Sequence, residues 1–273
     1  MDSDDITIGF IGAGNMANAL IKGLINSTLY PPERLIASDN DTNKLKEISE
    51  RFGLQGCHSN KDLVGGSNVI LLAVKPQVIR QVMEEVKDGI KDEHLIITIA
   101  AGIPIKMIHS IIGRDIPIIR VMPNTPALIQ KGVSVLASSS LVTPDHMAIA
   151  RGIFDAVGKT VVVDEDMMDA VTAVSGSGPG YVFKIMECFV EASKKQGFDN
   201  ETALLLVIQT FLGAVHLAEA SDLPLSQLRE MVTSKGGTTA AALAFFEGKG
   251  LEDVINGAVE AAFKRSVELG KAM

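Results

Sequence analysis

The chain has 273 residues, of which 47% are hydrophobic, which is enough for one large or two medium-sized domains with buried cores. Its formal net charge is −8 and it contains no Trp and two Tyr, so we expect neither a basic surface nor an aromatic platform for nucleic acid. The two cysteines, Cys57 and Cys188, match no metal or redox motif, and the acidic N-terminus lacks an apolar leader, so we expect a cytoplasmic protein.

The first motif is a glycine turn near the N-terminus. A short apolar run ends at Gly12, and Gly14 and Ala17 follow it in the spacing Gly-x-Gly-x-x-Ala. Apolar side chains then recur at helical spacing from Met16 to Ile25. A strand, a glycine turn and a helix in this order are typical of dinucleotide-binding proteins, because the turn lets a pyrophosphate reach the N–H groups of the helix. A tight turn without a ligand is the alternative.

The second predicted strand, Arg34–Ser38, ends at an acidic turn. Asp39 follows it directly, 25 residues beyond Gly14. An acidic residue at this place can accept hydrogen bonds from the adenosine ribose, which favours NADH. Ser38 and Lys44 could bind a 2′-phosphate more weakly. The alternative for Asp39, Asn40 and Asp41 is a solvated turn with a helix cap.

Strand-like and helical segments alternate up to residue 164. We therefore predict an α/β fold, with a Rossmann-type, doubly wound parallel sheet over residues 1–164. Ligands of such sheets bind beyond the carboxyl ends of the strands, so the turns after the strands form the expected cofactor site. The remaining predicted strands are Leu54–Cys57, Asn68–Val74, Leu95–Ile99, Ile116–Val121, Val133–Ala137 and Thr160–Val163.

Strand signals end after residue 164, and we predict an all-α domain over residues 165–273. The predicted helix Glu201–Ala220 is apolar around most of its circumference, so it must be covered on several sides. This indicates a subunit interface, with an ordinary monomeric core as the alternative. Its most apolar part, Ala203–Ala218, is interrupted by polar residues, and we expect it to be too short and too polar to cross a bilayer.

Two glycine-serine loops precede helices in this second domain. They are Ser175–Tyr181 and Thr233–Thr239, and each places hydroxyl and free N–H groups at a helix N-terminus, where an anion is favoured. A simple capped turn is the alternative for each loop. The five histidines show no metal-ligand spacing with other His, Cys or carboxylate residues, so we expect no metal.

Five motifs occur in order along the chain: Gly-Ala-Gly-Asn-Met, Val-Lys-Pro-Gln, Arg-Val-Met-Pro-Asn-Thr-Pro, Ser-Gly-Ser-Gly-Pro-Gly-Tyr and Thr-Ser-Lys-Gly-Gly-Thr-Thr. Together they resemble pyrroline-5-carboxylate reductases over essentially the whole chain, and the last three are the specific ones. The chain departs from the family at Gly180, where the family usually has alanine, and at Lys235, where it usually has proline.

The resemblance implies reduction of the cyclic imine 1-pyrroline-5-carboxylate to L-proline by NADPH or NADH, the last step of proline biosynthesis. It also implies an intertwined homodimer through the helical domains, often assembled into larger rings. Ser234, Gly237, Thr238 and Thr239 would hold the substrate. With Asp39 from the argument above, the predicted cofactor contacts are Ile11, Gly12, Ala13, Gly14, Asn15, Met16, Ser38, Asn60, Ala73, Val74, Lys75, Pro76, Ala100, Ala101 and Gly102.

The predicted catalytic residues are Thr239, which would orient the imine nitrogen, and Asp222, a weaker candidate near that nitrogen. The alternative for Asp222 is a helix N-cap before Pro224. A competing function is a 3-hydroxyacid dehydrogenase that uses Lys184 as its base, whereas imine reduction needs no base. A third is a dinucleotide-sensing protein without catalysis, which has no need for the hydroxyl-rich loop at Ser234–Thr239.

Overall fold

The computed structural model describes residues 6–271, so the acidic residues 1–5 lie outside the described part of the chain. The described chain divides into two compact units. The first contains the residues up to 177 together with those from 262 onward, and the second contains residues 178–261. The domain boundary expected between residues 164 and 165 stays a prediction.

The first unit is built on an eight-stranded sheet with the strand order β3-β2-β1-β4-β5-β6-β7-β8. The first six strands follow the order 3-2-1-4-5-6 of dinucleotide-binding sheets, and all five pairings among them are parallel. The doubly wound fold predicted from the sequence is therefore confirmed. The strands are β1 (Ile8–Ile11), β2 (Leu35–Ser38), β3 (Gln55–Gly56), β4 (Val69–Leu72), β5 (Leu95–Thr98), β6 (Ile118–Met122), β7 (Gly132–Ser138) and β8 (Gly158–Val162).

One pairing departs from the expected parallel arrangement, because β7 runs antiparallel to β6. The connection between these strands contains only the short 3-10 turn Thr125–Ile129, whereas a parallel crossover needs a dozen or more residues. The chain therefore reverses direction, and β8 then pairs parallel with β7. The turns after β1, β2, β4, β5 and β6 nevertheless share one edge of the sheet, as the sequence predicted.

Helices cover both faces of the sheet. Along β4, Val69 and Leu71 belong to one core cluster, and Ile70 and Leu72 belong to the other. This alternation buries both faces and explains why the strands read as continuous apolar runs. The helices of this unit are α1 (Asn15–Asn26), α2 (Thr42–Phe52), α3 (Asn60–Gly65), α4 (Ile79–Val86), α5 (Ile105–Ile112), α6 (Pro144–Asp155) and α7 (Met168–Val171).

The second unit is helical, as predicted. Its helices α8 and α9 pack against each other, and the rings of Phe189 and Phe211 meet edge to face at a centroid distance of 5.6 Å. Many other apolar side chains of this unit are exposed, including Phe183, Leu205 and Phe245. The helices are α8 (Gly178–Lys195), α9 (Asn200–Glu219), α10 (Leu225–Met231), α11 (Thr238–Gly248) and α12 (Leu251–Lys271), whose last residues belong to the first unit.

Helix α9 is the apolar helix singled out in the sequence. Only 11% of its most apolar window is buried, so within one chain it lacks the cover that its composition demands. Within residues 6–271 it is also the one helix whose length and composition would let it cross a membrane, with a mean hydropathy of 1.6. By length and composition alone, this helix therefore contradicts the expectation that the segment is too short and too polar to cross a bilayer.

Candidate active site

Glycine is present at residues 12 and 14 of the first turn for two different structural reasons. Gly12 has a φ of +106°, and a Cβ atom there would lie 2.7 Å from the carbonyl oxygen of Ala73 on the neighbouring chain segment. Gly14 has an ordinary extended conformation, with φ −74° and ψ −177°, and a Cβ atom there would meet nothing within 4 Å. The fold thus requires glycine at residue 12 but not at 14, where the missing side chain leaves room for a ligand.

Helix α1 begins directly after this turn with Gly14 as its N-cap. No side chain caps its N-terminus, and its first turn contains no acidic residue. The Asn18 side-chain amide donates to the carbonyl oxygens of Ala13 and Gly14 at 3.0 and 3.1 Å, which holds the turn in place. The backbone N–H groups of the first turn therefore remain available for a pyrophosphate.

Asp39 connects the loop after β2 to the glycine turn. Its Oδ2 accepts a hydrogen bond from the Ala13 N–H, and its Oδ1 accepts one from the Asp41 N–H, both at 2.8 Å. The helix cap expected within this acidic turn is Asp41, whose carboxylate accepts from the N–H groups of Asn43 and Lys44 at the start of α2. These backbone hydrogen bonds, that of Lys44 first, lower the pKa of Asp41.

A cleft of about 250 Å³ lies beside these turns. The structure brings together in its lining many of the predicted cofactor residues: Ile11, Gly12, Gly14, Ser38, Asp39, Asn60, Ala73, Val74 and Lys75. Lys44, the weaker candidate for a 2′-phosphate, also lines the cleft. Lining residues that were not predicted for the cofactor are Asn40, Val78, Gln81, Val82 and Glu85. Gln81, Val82 and Glu85 lie on α4, and only the tertiary fold brings this helix to the cleft.

The other predicted cofactor residues lie around this cleft rather than in its lining. Ala13 and Asn15 line an adjoining cleft of about 340 Å³ that shares Gly14 with the first. Met16 packs against the core of the sheet, and Pro76 begins a short 3-10 turn. Residues 100–102 follow β5 at the same sheet edge.

Three side chains of the first cleft form a hydrogen-bonded chain. The Ser38 hydroxyl donates to Asn60 Oδ1 at 2.7 Å, and Asn60 Nδ2 donates to Glu85 Oε2 at 2.9 Å. Ser38 and Asn60 are buried, whereas Glu85 lies on the exposed side of α4. Sequence reasoning found Ser38 and Asn60 and missed Glu85, because 25 residues separate it from Asn60 and only the tertiary fold brings them together.

The loop before α11 is a β-turn that is built around glycine. The Gly237 N–H donates to the Ser234 carbonyl oxygen at 3.0 Å, and Gly236, the third residue of the turn, has a φ of +74°. A Cβ atom at Gly237 would lie 2.4 Å from Ser234 Oγ, so glycine is required for the hydroxyl to occupy its place. Lys235 is the second residue of this turn, a position that favours proline.

Helix α11 starts with two threonines and an uncapped N-terminus. Gly237 is its N-cap without a side-chain hydrogen bond, and the first helical bond runs from Ala241 N–H to the Gly237 carbonyl. The N–H groups of Thr238 and Thr239 therefore have no partner within the helix. Because the Gly237 N–H is used in the turn, these two groups and the Ser234 hydroxyl are the donors that remain for a carboxylate.

The first glycine-serine segment, predicted as a loop, begins inside a π-helical turn, Thr172–Gly176, and continues into α8. Turns of this kind are frequent at functional sites. Its Ser175 carbonyl accepts a hydrogen bond from the Asn124 side chain at 3.3 Å, while Asn124 Oδ1 accepts from the Val133 N–H at 2.9 Å. A Cβ atom at Gly180 would meet nothing within 4 Å, so the alanine that is usual in the family would fit there.

The remaining candidates are exposed. The N-cap of α10 is Pro224. Asp222 therefore does not cap this helix, which was the alternative to its predicted catalytic role. Lys184 pairs with Glu187 at 3.1 Å, and this hydrogen bond raises the pKa of the Lys184 ammonium, which disfavours a role as base. Among residues 6–271, no group of three or more His, Cys, Asp or Glu side chains is placed to hold a metal ion.

Family models of known proteins match both the N-terminal and the C-terminal part of the chain. Residues 165–269 match the family model for pyrroline-5-carboxylate reductase dimerisation, and residues 7–102 match that for NADP oxidoreductase, coenzyme F420-dependent. The pyrroline-5-carboxylate reductase of Pseudomonas aeruginosa is 40% identical over 97% of this chain and 97% of its own length. This chain belongs to the pyrroline-5-carboxylate reductase family.

Solved structures of this reductase family have the same fold. The pyrroline-5-carboxylate reductase from Coxiella burnetii superposes with a TM-score of 0.92 at 38% identity, covering 97% of this chain and 98% of that one. The Plasmodium falciparum pyrroline carboxylate reductase with NADP bound has a TM-score of 0.88 at 31% identity, covering 98% and 99%. The resemblance inferred from the five motifs is confirmed.

Proposed function

We propose that this chain reduces 1-pyrroline-5-carboxylate to L-proline with NADPH or NADH, as the last step of proline biosynthesis. Membership of the reductase family over nearly the full length supports the reaction. The structural observation that carries the proposal is the uncapped N-terminus of α11, where two N–H groups and a cluster of hydroxyls are free to bind a carboxylate. A protein that only senses a dinucleotide has no use for such a site.

The first unit holds the cofactor in this proposal. The open space at Gly14 and the uncapped N-terminus of α1 fit a pyrophosphate, and the cleft lined by Ser38, Asp39 and Asn60 fits the adenosine ribose. The bound dinucleotide supplies the hydride for the imine carbon. The protein's contribution is to bind and orient both reactants, which is worth a large share of the barrier in such reactions.

The substrate carboxylate accepts hydrogen bonds from the N–H groups of Thr238 and Thr239 and from the Ser234 hydroxyl, at the positive end of α11. Gly237 contributes by its lack of a side chain. The Thr239 hydroxyl donates to the ring nitrogen, which becomes more basic as the hydride arrives. A hydroxyl is a weak acid, so Thr239 positions the ring rather than drives protonation, and water supplies the proton. Asp222 is the weaker candidate for a side chain near the ring nitrogen.

The helical unit forms the dimer in this proposal. Helices α8, α9 and α11 expose large apolar side chains, among them Phe183, Leu205 and Phe245. Exposed apolar side chains that lie together indicate a protein interface. In this proposal an intertwined homodimer covers these faces with protein rather than lipid. The proposed enzyme is cytoplasmic and has no membrane or nucleic-acid partner. Light scattering at micromolar concentration without detergent should report a dimer or a larger ring, and an active monomer would contradict the assembly.

The reaction is tested by following NAD(P)H absorbance with pyrroline-5-carboxylate and with a panel of 3-hydroxyacids in the oxidative direction. We expect turnover with the imine alone. Activity with a 3-hydroxyacid that is lost on Lys184→Ala would overturn the proposal in favour of the dehydrogenase. Binding of the cofactor without any turnover would instead favour a sensing protein.

The role of Thr239 is tested separately. Thr239→Ala should lower kcat by roughly ten- to a hundredfold, equal to about 1.4–3 kcal/mol, and Thr239→Ser should recover most of the rate. Thr233→Ala is the matched control, because the Thr233 hydroxyl already donates to the Arg229 carbonyl of α10. Wild-type turnover by Thr239→Ala would show that another donor orients the ring.

A further inference from the structure

We propose that Glu85, acting through Asn60 and Ser38, sets the preference of the cleft between NADH and NADPH by fixing the direction of a hydrogen-bond chain. The inference rests on the proposed function, because it takes the cleft as the adenosine site of a dinucleotide. Because Glu85 acts through Asn60 and Ser38 and contacts no reacting atom, it is a positioning residue for the cofactor.

The direction of the chain follows from the chemistry of its end group. A carboxylate only accepts hydrogen bonds, so the Asn60 atom that lies 2.9 Å from Glu85 Oε2 must be the amide nitrogen. This orients Asn60 Oδ1 toward the Ser38 hydroxyl, which donates its single proton to it over 2.7 Å. Both Ser38 and Asn60 are buried, so the protein rather than water decides these orientations.

The consequence appears at Ser38 Oγ, which lines the cleft at the carboxyl end of β2. With its proton donated to Asn60, this oxygen offers only lone pairs to a ligand. A ribose hydroxyl can donate to such an oxygen, whereas a 2′-phosphate, which needs donors, gains nothing from it. The chain from Glu85 to Ser38 therefore favours NADH over NADPH.

Charge alone does not decide between the two cofactors. The charged residues that line the cleft are two carboxylates, Asp39 and Glu85, and two lysines, Lys44 and Lys75. Lys44 is also paired with Asp41 at 3.5 Å. Because the lining carries equal numbers of both signs, hydrogen-bond direction is the feature that separates a hydroxyl from a phosphate.

Replacing the carboxylate by an amide makes the opposite direction possible. In Glu85→Gln, the new amide can donate to Asn60 Oδ1, the Asn60 amide can turn, and its nitrogen can donate to Ser38. The Ser38 proton then becomes available to a phosphate. The 2′-phosphate then gains a hydrogen bond from Ser38, and a hydrogen bond to a charged group is strong, so the ratio of NADPH to NADH affinity should rise by roughly tenfold or more.

The control is Glu84→Gln on the same helix, which removes the same charge from a side chain that pairs with Lys87 at 2.6 Å and does not line the cleft. Its affinity ratio should equal that of the wild type. Glu85→Ala removes the charge without adding a donor, so it should shift the ratio less than Glu85→Gln. In a Ser38→Ala background, Glu85→Gln should leave the ratio unchanged, because the group that it acts through is gone.

The experiment is a fluorescence titration of the full-length protein and its variants with NADH and with NADPH, after circular dichroism has confirmed that each variant is folded. The expected result is a shift confined to Glu85 variants that retain Ser38. Equal ratios in Glu85→Gln and Glu84→Gln, or an undiminished shift without Ser38, overturn the inference. Failure of the wild type to bind either dinucleotide overturns the proposed cofactor cleft instead.

Discussion

The contrast between Gly14 and Gly12 allows cofactor binding to be separated from folding. Alanine at residue 14 meets no atom within 4 Å and has a backbone conformation that any residue adopts. Alanine at residue 12 is held at a φ of +106° with its Cβ 2.7 Å from a carbonyl oxygen. Gly14→Ala should therefore leave the fold intact, or stabilise it by about 0.4–1 kcal/mol through the unfolded state, whereas Gly12→Ala should destabilise it.

Binding should respond in the opposite sense. A methyl group at residue 14 keeps the pyrophosphate from the N–H groups of α1, and each charge-assisted hydrogen bond lost costs about 1.5–3 kcal/mol. Gly14→Ala should thus weaken NADH binding by roughly ten- to a hundredfold. Gly14→Asp adds like-charge repulsion, which is about 4 kcal/mol for charges 4 Å apart at an effective dielectric constant of 20, so its binding should be weaker still.

The assay combines thermal unfolding with a fluorescence titration of NADH. Gly65→Ala is the matched control, because it is also a glycine with open space around its Cβ position but lies outside the cleft lining. It should bind NADH as the wild type does. A folded Gly14→Asp protein with unchanged NADH affinity would refute the assignment of this turn to the pyrophosphate.

Three further predictions concern other parts of the chain. Asp39→Asn keeps an acceptor for the Ala13 N–H of the glycine turn and removes a negative charge. The kcat/KM for NADPH relative to that for NADH should therefore rise several-fold. An unaltered ratio would mean that Asp39 is only a turn residue. Lys235→Pro should stabilise the substrate loop by about 0.4–1 kcal/mol, because proline suits the second position of this turn. In steady-state assays the KM for the imine substrate should fall by up to about fivefold at constant kcat. A raised KM would show that the lysine itself contacts the substrate. Burial lowers the pKa of His94 below its ordinary value of 6.5, so the unfolded state binds the proton first and the free energy of unfolding should fall as the pH drops through about 6.5. Urea unfolding at pH 7.5 and 5.5 measures this loss, which should be smaller in His94→Gln; an identical loss in both proteins excludes His94 as its source.

The sequence by itself determined the features that depend on neighbours along the chain. The run into Gly12, the turn at Gly14 and the periodic segment that follows predicted β1 and α1, because strand and helix periods are local properties. All eight strands were found from their apolar runs, and the rule for parallel sheets placed their turns at one edge. The glycine-serine loop at Thr233–Thr239 was likewise recognised, because glycine and hydroxyl residues before a helical segment indicate a helix N-terminus.

Only the tertiary structure decided which polar atoms meet. The sequence predicted that Asp39 faces a ribose. The fold shows that one oxygen of its carboxylate accepts a hydrogen bond from the Ala13 N–H. The resemblance placed Gly237 among the substrate-binding residues, and the turn uses its N–H internally. Glu85 and the antiparallel β7 were missed for the same physical reason. A hydrogen bond or a strand pairing between distant residues depends on how helices pack and connections close, and neither leaves a periodic trace in the chain.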